Sequence, residues 1–227
     1  MEIRLETIEM REILHFLGWR GAKVERELML EIRAIADRVL NEVTARAVML
    51  QLPFGDNGTL EGTAFYPQGK DIAKLLSGCS EVCLLAVTLG AQSERMILRE
   101  QARSNMRAVL LDAVLSAYVE AACDQIEETL REQLLLKGLY LTDRFSPGYG
   151  DMPMEQTREI CEVLSAFKAI GLSVSGSGIM IPRKSVTAVM GISRFPVERR
   201  PDGCAGCPSR DTCEFVKRER TSSARIE

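Results

Sequence analysis

Ten consecutive residues, from Arg144 to Pro153, combine residue types that are suited to binding a small ligand. They read Arg-Phe-Ser-Pro-Gly-Tyr-Gly-Asp-Met-Pro and offer little to a hydrophobic core. Arg144 can bind a carboxylate through two parallel hydrogen bonds, and Tyr149 can stack or donate. Gly148 allows close backbone approach, while Pro147 and Pro153 lower the entropy lost on ordering. These types predict a small, partly apolar, carboxylated ligand, although composition alone favours a rigid connection between a strand and a helix.

A second set of polar residues lies upstream, at positions spaced four apart. Asp112, Ser116 and Glu120 occur in a segment without proline or glycine, which predicts a helix. On that helix the three side chains form one polar stripe about 12 Å long. A carboxylate in the stripe could face a positively charged ligand group. The alternative is the solvated face of an amphipathic helix.

Three sequence elements follow one another in an order that is typical of one known family. The pattern Arg-x-x-Pro-Gly-Tyr-x-x-x-Pro begins at Arg144, and a Ser-x-Ser-Gly element at 173–176 precedes Pro182 by six residues. The segment 111–120 carries the polar stripe. Over residues 75–192 these elements resemble those with which the activation domain of cobalamin-dependent methionine synthase binds S-adenosylmethionine.

The resemblance implies an S-adenosylmethionine-binding protein that supports reductive methylation of cobalamin held by a different polypeptide. It implies that Arg144 holds the carboxylate of the ligand, while Glu120 and Asp112 face its positively charged end. The other binding residues that it implies are Pro147, Gly148, Tyr149, Ser175 and Gly176. The implied partners are a cobalamin-binding protein and an electron donor such as flavodoxin or ferredoxin. If the chain is itself catalytic, the activity would be that of a methyltransferase acting with this partner.

Two departures from the family pattern keep other functions open. The family loop tends to read Gly-Tyr-Pro-Ala-Cys-Pro, whereas Gly-Asp-Met-Pro follows Tyr149 here. Aromatic residues that usually follow the later elements are replaced by Ser177-Gly178 and Val186-Thr187. An alternative is therefore a redox or metal-carrying accessory protein for a corrinoid methyltransferase that no longer binds S-adenosylmethionine. A third hypothesis is a module that caps a corrinoid protein without chemistry of its own.

Three of the seven cysteines lie close together near the end of the sequence. Cys204, Cys207 and Cys213 stand on a stretch rich in Gly and Pro, where successive thiolates can converge on one ion. This spacing favours a zinc site or an iron-sulfur cluster over inert thiols, with a fourth ligand from elsewhere. For the remaining cysteines the sequence predicts core packing. They are Cys79, Cys83, Cys123 and Cys161.

Composition limits the class of protein. The 227 residues carry a net charge of -3 and are 46% hydrophobic, which is typical of a globular domain and argues against a nucleic-acid partner. The longest apolar run, Val82–Leu89, is too short to span a membrane, and the first residues lack the order of a signal peptide. We therefore expect a cytoplasmic protein without a membrane partner. A single histidine, His15, excludes a histidine dyad and a cobalamin-binding Asp-x-His-x-x-Gly motif.

The elements that must position these residues follow from hydrophobic periodicity and turn signals. An α+β fold is predicted, with a mainly antiparallel twisted sheet and packed helices, as in the methionine synthase activation domain. A core of 1–194, with ligand-binding elements in 105–190, would precede a basic, Cys-rich tail of 195–227. The predicted helices are 22–43, 91–136 as one or two helices, and 154–169. The predicted strands are 45–52 and 59–66 as a hairpin, 82–89 at the sheet centre, 139–142, and two within 172–192 around a turn at 182–184.

Overall fold

The computed structural model of the protein describes residues 1–19, 24–55 and 58–197. Its helices are α1 (Met10–Phe16), α2 (Arg26–Glu42), α3 (Lys70–Leu75), α4 (Gly90–Gln101), α5 (Asn105–Leu135), α6 (Gln156–Val163) and α7 (Ala166–Ile170). Its strands are β1 (Glu2–Ile3), β2 (Ala45–Pro53), β3 (Cys79–Thr88), β4 (Tyr140–Leu141), β5 (Ser173–Val174), β6 (Met180–Ile181) and β7 (Ser185–Ser193).

Five strands form one sheet in the order β1-β2-β3-β7-β4, and every neighbouring pair is antiparallel. The long ladders join β3 to β2 and β7; Leu85, for example, is paired with Met49 and with Ala188. The strand predicted at 82–89 is therefore central, as its apolar run indicated. The predicted α+β fold with a mainly antiparallel sheet and packed helices is confirmed.

Helices cover both faces of this sheet, so the protein has a hydrophobic core on each side. In β3, Cys83, Leu85 and Val87 point to the core under α1, α2, α4 and α5. The intervening Val82 and Leu84 point to the core under α3, α6 and α7. Because successive side chains of a strand alternate between faces, a strand covered on both sides has to be apolar throughout.

The region predicted as one or two helices consists of two. After α4 ends, the chain restarts at Ser104, whose hydroxyl accepts a hydrogen bond from the Arg107 backbone N–H at 3.4 Å. The 31-residue α5 packs along the sheet through its buried face. Its buried Tyr118 donates to the Val43 carbonyl at 3.0 Å, which ties α5 to the end of α2. None of the helices within the described residues is both long and apolar enough to cross a membrane.

The predicted hairpin of 45–52 and 59–66 is wrong in its second half. The first segment is β2, but residues 59–66 form no strand beyond an isolated bridge between Phe54 and Leu60. The chain turns at Leu60, whose carbonyl accepts from the Thr63 N–H at 3.1 Å. Leu60 and Phe65 are buried in the core under α3, α6 and α7. Burying these two side chains outweighs extending the ladder.

The single helix predicted over 154–169 is also wrong. It is divided at Ser165, whose backbone takes the left-handed conformation with φ of 48°. Ile160 of α6 and Ile170 of α7 are both buried in the core under α3, α6 and α7. Helix α7 ends before Gly171, whose φ of 73° lies in the left-handed region that glycine adopts readily.

The turn predicted at 182–184 lies between two strands, but these strands belong to different sheets. Strand β6 pairs with β5 in a separate two-stranded sheet, whereas β7 joins the large sheet. Arg183 holds this turn against α4, because its backbone N–H donates to Glu94 at 2.7 Å.

Candidate ligand-binding site

The loop from Arg144 to Pro153 is anchored to the large sheet through its second residue, Phe145. The backbone of Phe145 exchanges two hydrogen bonds with Val189 of β7, at 2.9 and 2.8 Å. Phe145 is buried in the core under α3, α6 and α7. Since neighbouring residues of extended chain point to opposite faces, Arg144 lies on the other side, towards α5.

Residues Ser146 to Tyr149 form a tight turn that requires glycine. Pro147 occupies its second position, Gly148 its third with a φ of 90°, and the Tyr149 N–H donates to the Ser146 carbonyl at 3.0 Å. This is the pattern of a type II turn. The exposed Tyr149 ring meets the Phe145 ring edge-on, with 6.3 Å between centroids. Gly148 is therefore needed for its backbone conformation, in addition to the close approach predicted from the sequence.

Asp151 fastens the far end of the loop to α3. Its carboxylate accepts hydrogen bonds from the backbone N–H groups of Lys70 at 2.7 Å and of Asp71 at 3.0 Å. These bonds hold the pKa of Asp151 below its usual range. A Cβ at Gly150 would lie 2.2 Å from the Asp71 carboxylate, so the two chains are in close contact. The aspartate that departs from the family pattern thus has a structural role.

Three carboxylates of α5 surround the guanidinium of Arg144. Its Nε donates to Glu127 at 2.8 Å, its Nη1 donates to Glu120 at 3.4 Å, and its Nη2 pairs with Asp124. Burial alone would lower the pKa of Arg144, but the negative charges around it raise that pKa. These contacts use three of the five N–H donors of the side chain. Partial burial and the charge of Glu120 raise the pKa of Tyr149. The structure therefore brings Arg144, Glu120 and Tyr149 together.

The other end of the predicted stripe binds a different cation. The Lys184 Nζ lies 2.9 Å from the Asp112 carboxylate and donates to the Ser116 hydroxyl at 2.8 Å. Asp112, Ser116 and Glu120 therefore lie along one side of α5, as their spacing predicts. Only Glu120 contacts Arg144, while Asp112 binds the turn between β6 and β7.

Ser175 and Gly176 lie in the turn that joins β5 to β6. The Ser175 hydroxyl accepts from the Ile179 N–H at 3.0 Å and contacts the Ser177 hydroxyl at 2.9 Å. Arg158 of α6 donates to the carbonyls of Val174 and Ser175. A depression of about 330 Å³ opens beside this hairpin between α6 and α7, and Arg144, Glu120 and Tyr149 do not line it. Arg158 of α6 therefore holds Ser175 and the hairpin next to Gly176, whereas the Arg144 group is held by α5.

The predicted metal ligands Cys204, Cys207 and Cys213 lie outside the described residues. Within the part of the chain that the structure describes, no group of three or more His, Cys, Asp or Glu side chains could hold a metal ion. The predicted core role of the other cysteines is confirmed for three, which are buried, while Cys79 is half-buried. Burial raises the pKa of their thiols to about 12, 12 and 11 for Cys83, Cys123 and Cys161, respectively.

Four residues of this region were not among the sequence candidates. They are Asp124, Glu127, Arg131 and Lys184. Asp124 and Glu127 continue the stripe of Glu120 by one and two helical turns, so periodicity could have identified them. Lys184 lies 68 positions after Ser116, and no local pattern connects the two.

The geometry can be compared with known proteins. The family model of the vitamin B12 dependent methionine synthase activation domain matches residues 70–194, which include α5, the Arg144 loop and the β5–β6 hairpin. The comparison with curated proteins gives no match. Among solved structures, the chain is similar to the MetH reactivation domain bound to AdoHcy, with a TM-score of 0.64 and 17% identity over 87% of this chain and 79% of that chain. At this identity the likeness shows a shared fold.

Proposed function

Because this chain belongs to the family of vitamin B12 dependent methionine synthase activation domains, we propose that it binds S-adenosylmethionine and supports reductive methylation of cobalamin on a separate protein. The observation that carries the proposal is the group formed by Arg144, Glu120 and Tyr149 within the matched residues. The solved neighbour with the same fold was bound to AdoHcy, the demethylated form of the same ligand.

The charges of this group suit a ligand with both signs of charge. S-adenosylmethionine carries a carboxylate, an ammonium and a sulfonium. In our proposal the two N–H donors of Arg144 that α5 does not use hold the carboxylate, and Glu120 faces the cationic groups. Asp112, which the resemblance also implies, lies further along α5 and is paired with Lys184. Tyr149 on its Pro147-Gly148 turn, together with Ser175 and Gly176 of the hairpin, would shape the rest of the pocket.

The chemistry assigned to this chain is positioning. A sulfonium is already a good leaving group, so methyl transfer needs neither a general acid nor an activated nucleophile here. Cobalamin, when carried by the partner, supplies the cobalt that accepts the methyl group. The residues of this chain would bind the ligand, orient its methyl group and exclude water. A cobalamin-binding protein and an electron donor of the flavodoxin or ferredoxin type complete the proposal.

The cysteine spacing supports a second proposal. Cys204, Cys207 and Cys213 would hold zinc or an iron-sulfur cluster, and a cluster could pass the electron that reductive methylation requires. If S-adenosylmethionine does not bind, the tail becomes the functional part of a metal-carrying accessory protein. The exposed Ser177 and the half-buried Gly178, in place of family aromatics, favour this alternative. Iron, sulfide and zinc analysis of anaerobically purified protein, with Cys204→Ser as control, tests it; absence of all three elements would eliminate it.

Calorimetric titration with S-adenosylmethionine tests the main proposal. We expect saturable one-site binding that Arg144→Ala and Glu120→Ala each weaken by about tenfold or more, since each removes a charged contact. Glu132→Ala is the matched control, because it removes the same charge from an exposed position on α5 and should leave affinity unchanged. No binding by the wild type, even with a cobalamin-binding partner present, would refute the proposal.

A further inference from the structure

We propose that Glu127 and Arg131 are positioning residues that orient the guanidinium of Arg144 for its ligand, an inference that rests on the function proposed above. One carboxylate connects the two arginines. Oε2 of Glu127 accepts from Arg144 Nε at 2.8 Å, and Oε1 accepts from Arg131 Nη2 at 2.7 Å. All three side chains are between 13% and 16% exposed, so water competes little for these bonds.

Arg131 in turn fixes the backbone from which Arg144 projects. Its Nη1 donates to the carbonyl of Leu141, and its Nη2 lies 3.5 Å from the carbonyl of Thr142. The same Nη2 is 3.6 Å from the Asp143 carboxylate. Arg131 therefore binds the end of β4 and the next two residues, immediately before Arg144. Glu127 and Arg131 thus form one hydrogen-bonded network with Arg144. Through this network α5 holds the side chain of Arg144 and the backbone that precedes it.

This network determines which edge of the Arg144 guanidinium is available to a ligand. The exposed fraction of the acids rises from 13% at Glu127 to 42% at Glu120 and 71% at Asp124. The Nε edge of Arg144 is thus the inner edge, and the two Nη atoms lie on the outer side. A planar guanidinium held at Nε keeps its remaining donors in one plane. Glu127 acts on the ligand only through this orientation.

Removing the charge of Glu127 would change the geometry at Arg144 while leaving the outer acids in place. Without it, the positive charges of Arg131 and Arg144 face each other across a neutral side chain, which favours rotation of Arg144 away from its present plane. Glu127→Gln preserves size and one acceptor oxygen, so the fold should persist. We expect S-adenosylmethionine to bind this variant about tenfold more weakly, as is typical of coupled residues in one network.

A double-mutant cycle in ligand affinity tests the inference. Glu127→Gln is combined with Arg144→Ala, and with Arg144→Lys in case the alanine variant is unstable. Lysine keeps the charge but offers no Nε for Glu127. If Glu127 acts through Arg144, Glu127→Gln weakens binding in the wild-type background but causes no further loss once Arg144 has been replaced. A residue with a general structural role would lower affinity in both backgrounds alike. Glu132→Gln is the matched control, and urea unfolding of every variant measures folding separately.

The outcomes separate this inference from the proposed function. Wild-type binding with a non-additive cycle supports both. Wild-type binding that Arg144→Ala weakens and Glu127→Gln leaves unchanged overturns the positioning role and retains the function. Additive losses place Glu127 in direct contact with the ligand or in the general fold, and also overturn it. No binding by the wild type removes the function and this inference together.

Discussion

Replacing Gly148 with alanine tests whether the conformation of the Arg144–Pro153 loop depends on the turn at Pro147-Gly148. Gly148 has a φ of 90°, a region that costs an L-residue about 1–2 kcal/mol. The new Cβ would lie 2.2 Å from the sulfur of Met154. Met154 is 56% exposed and flexible, so its side chain can move away at little cost. Reduced entropy of the unfolded chain offsets about 0.4–1 kcal/mol of the loss. We therefore expect a net destabilisation of about 1 kcal/mol.

Gly62→Ala provides the matched control for this substitution. Its φ is 77°, and a Cβ there would have no neighbour within 4 Å. The variant should lose similar stability at a position outside the loop. Urea unfolding and calorimetric titration with S-adenosylmethionine would be carried out on both variants. We expect that only Gly148→Ala loses affinity, because only it moves Tyr149 relative to Arg144.

Adding Met154→Ala to Gly148→Ala separates two causes of the lost stability, which are the contact of the new Cβ with the Met154 sulfur and the positive φ at position 148. If the contact with the sulfur matters, the double variant recovers part of the lost stability; if the φ angle dominates, it recovers none. Wild-type stability and wild-type affinity in Gly148→Ala would together refute the requirement for a positive φ at this position.

Three further predictions concern the framework around the site. Hydrogen bonds from the Asp71 and Lys70 backbone lower the pKa of Asp151, so its stabilisation is complete above the ordinary value of 3.8 and is lost as the pH falls through the lowered pKa. Asp151→Asn should therefore melt below the wild type at pH 7, and the two melting curves should converge well below pH 3.8. Tyr118→Phe should cost about 1–3 kcal/mol in urea unfolding, because the buried Val43 carbonyl loses its donor; an unchanged midpoint would contradict this. Iodoacetamide at pH 7.5, with peptide mass spectrometry, should leave Cys83 and Cys123 unmodified in the native protein and modify them in urea, since burial raises the pKa values of their thiols and blocks access. Rapid native alkylation of Cys123 would be inconsistent with its burial.

The local sequence pattern predicted the structure correctly where a single helix, strand or turn determines it. The apolar run of 82–89 required cover on both faces, and it forms the centre of the sheet. The Pro147-Gly148 pair is the usual content of a type II turn, and it forms one. The spacing of Asp112 and Glu120 put them on one side of a helix, as α5 shows.

The local sequence pattern gave wrong predictions where contacts between distant segments of the chain determine the structure. Turn residues between 52 and 59 favour a hairpin, but β2 pairs with β3, which offers a ladder of eight residue pairs. The segment 59–66 then gains more by burying Leu60 and Phe65 than by pairing. Similarly, nothing within 154–169 forbids one helix. Its division at Ser165, where the backbone is left-handed, has no signal in the local sequence.

The role of Arg144 is the case in which the fold changes the chemistry that a sequence suggests. An arginine in a loop of this composition is read as a free cation that waits for a carboxylate. In the fold its guanidinium is surrounded by three acids of α5, and its charge is already balanced before a ligand arrives. A ligand that brought only a negative charge could use the two unoccupied N–H donors of Arg144, but it would be repelled by these acids. A zwitterion with an extra positive charge can use the outer donors of Arg144 and the exposed Glu120 and Asp124 at the same time. In the proposed function, the same arrangement weakens Arg144 as a general anion receptor and would favour a sulfonium amino acid, whose positive charges offset those acids.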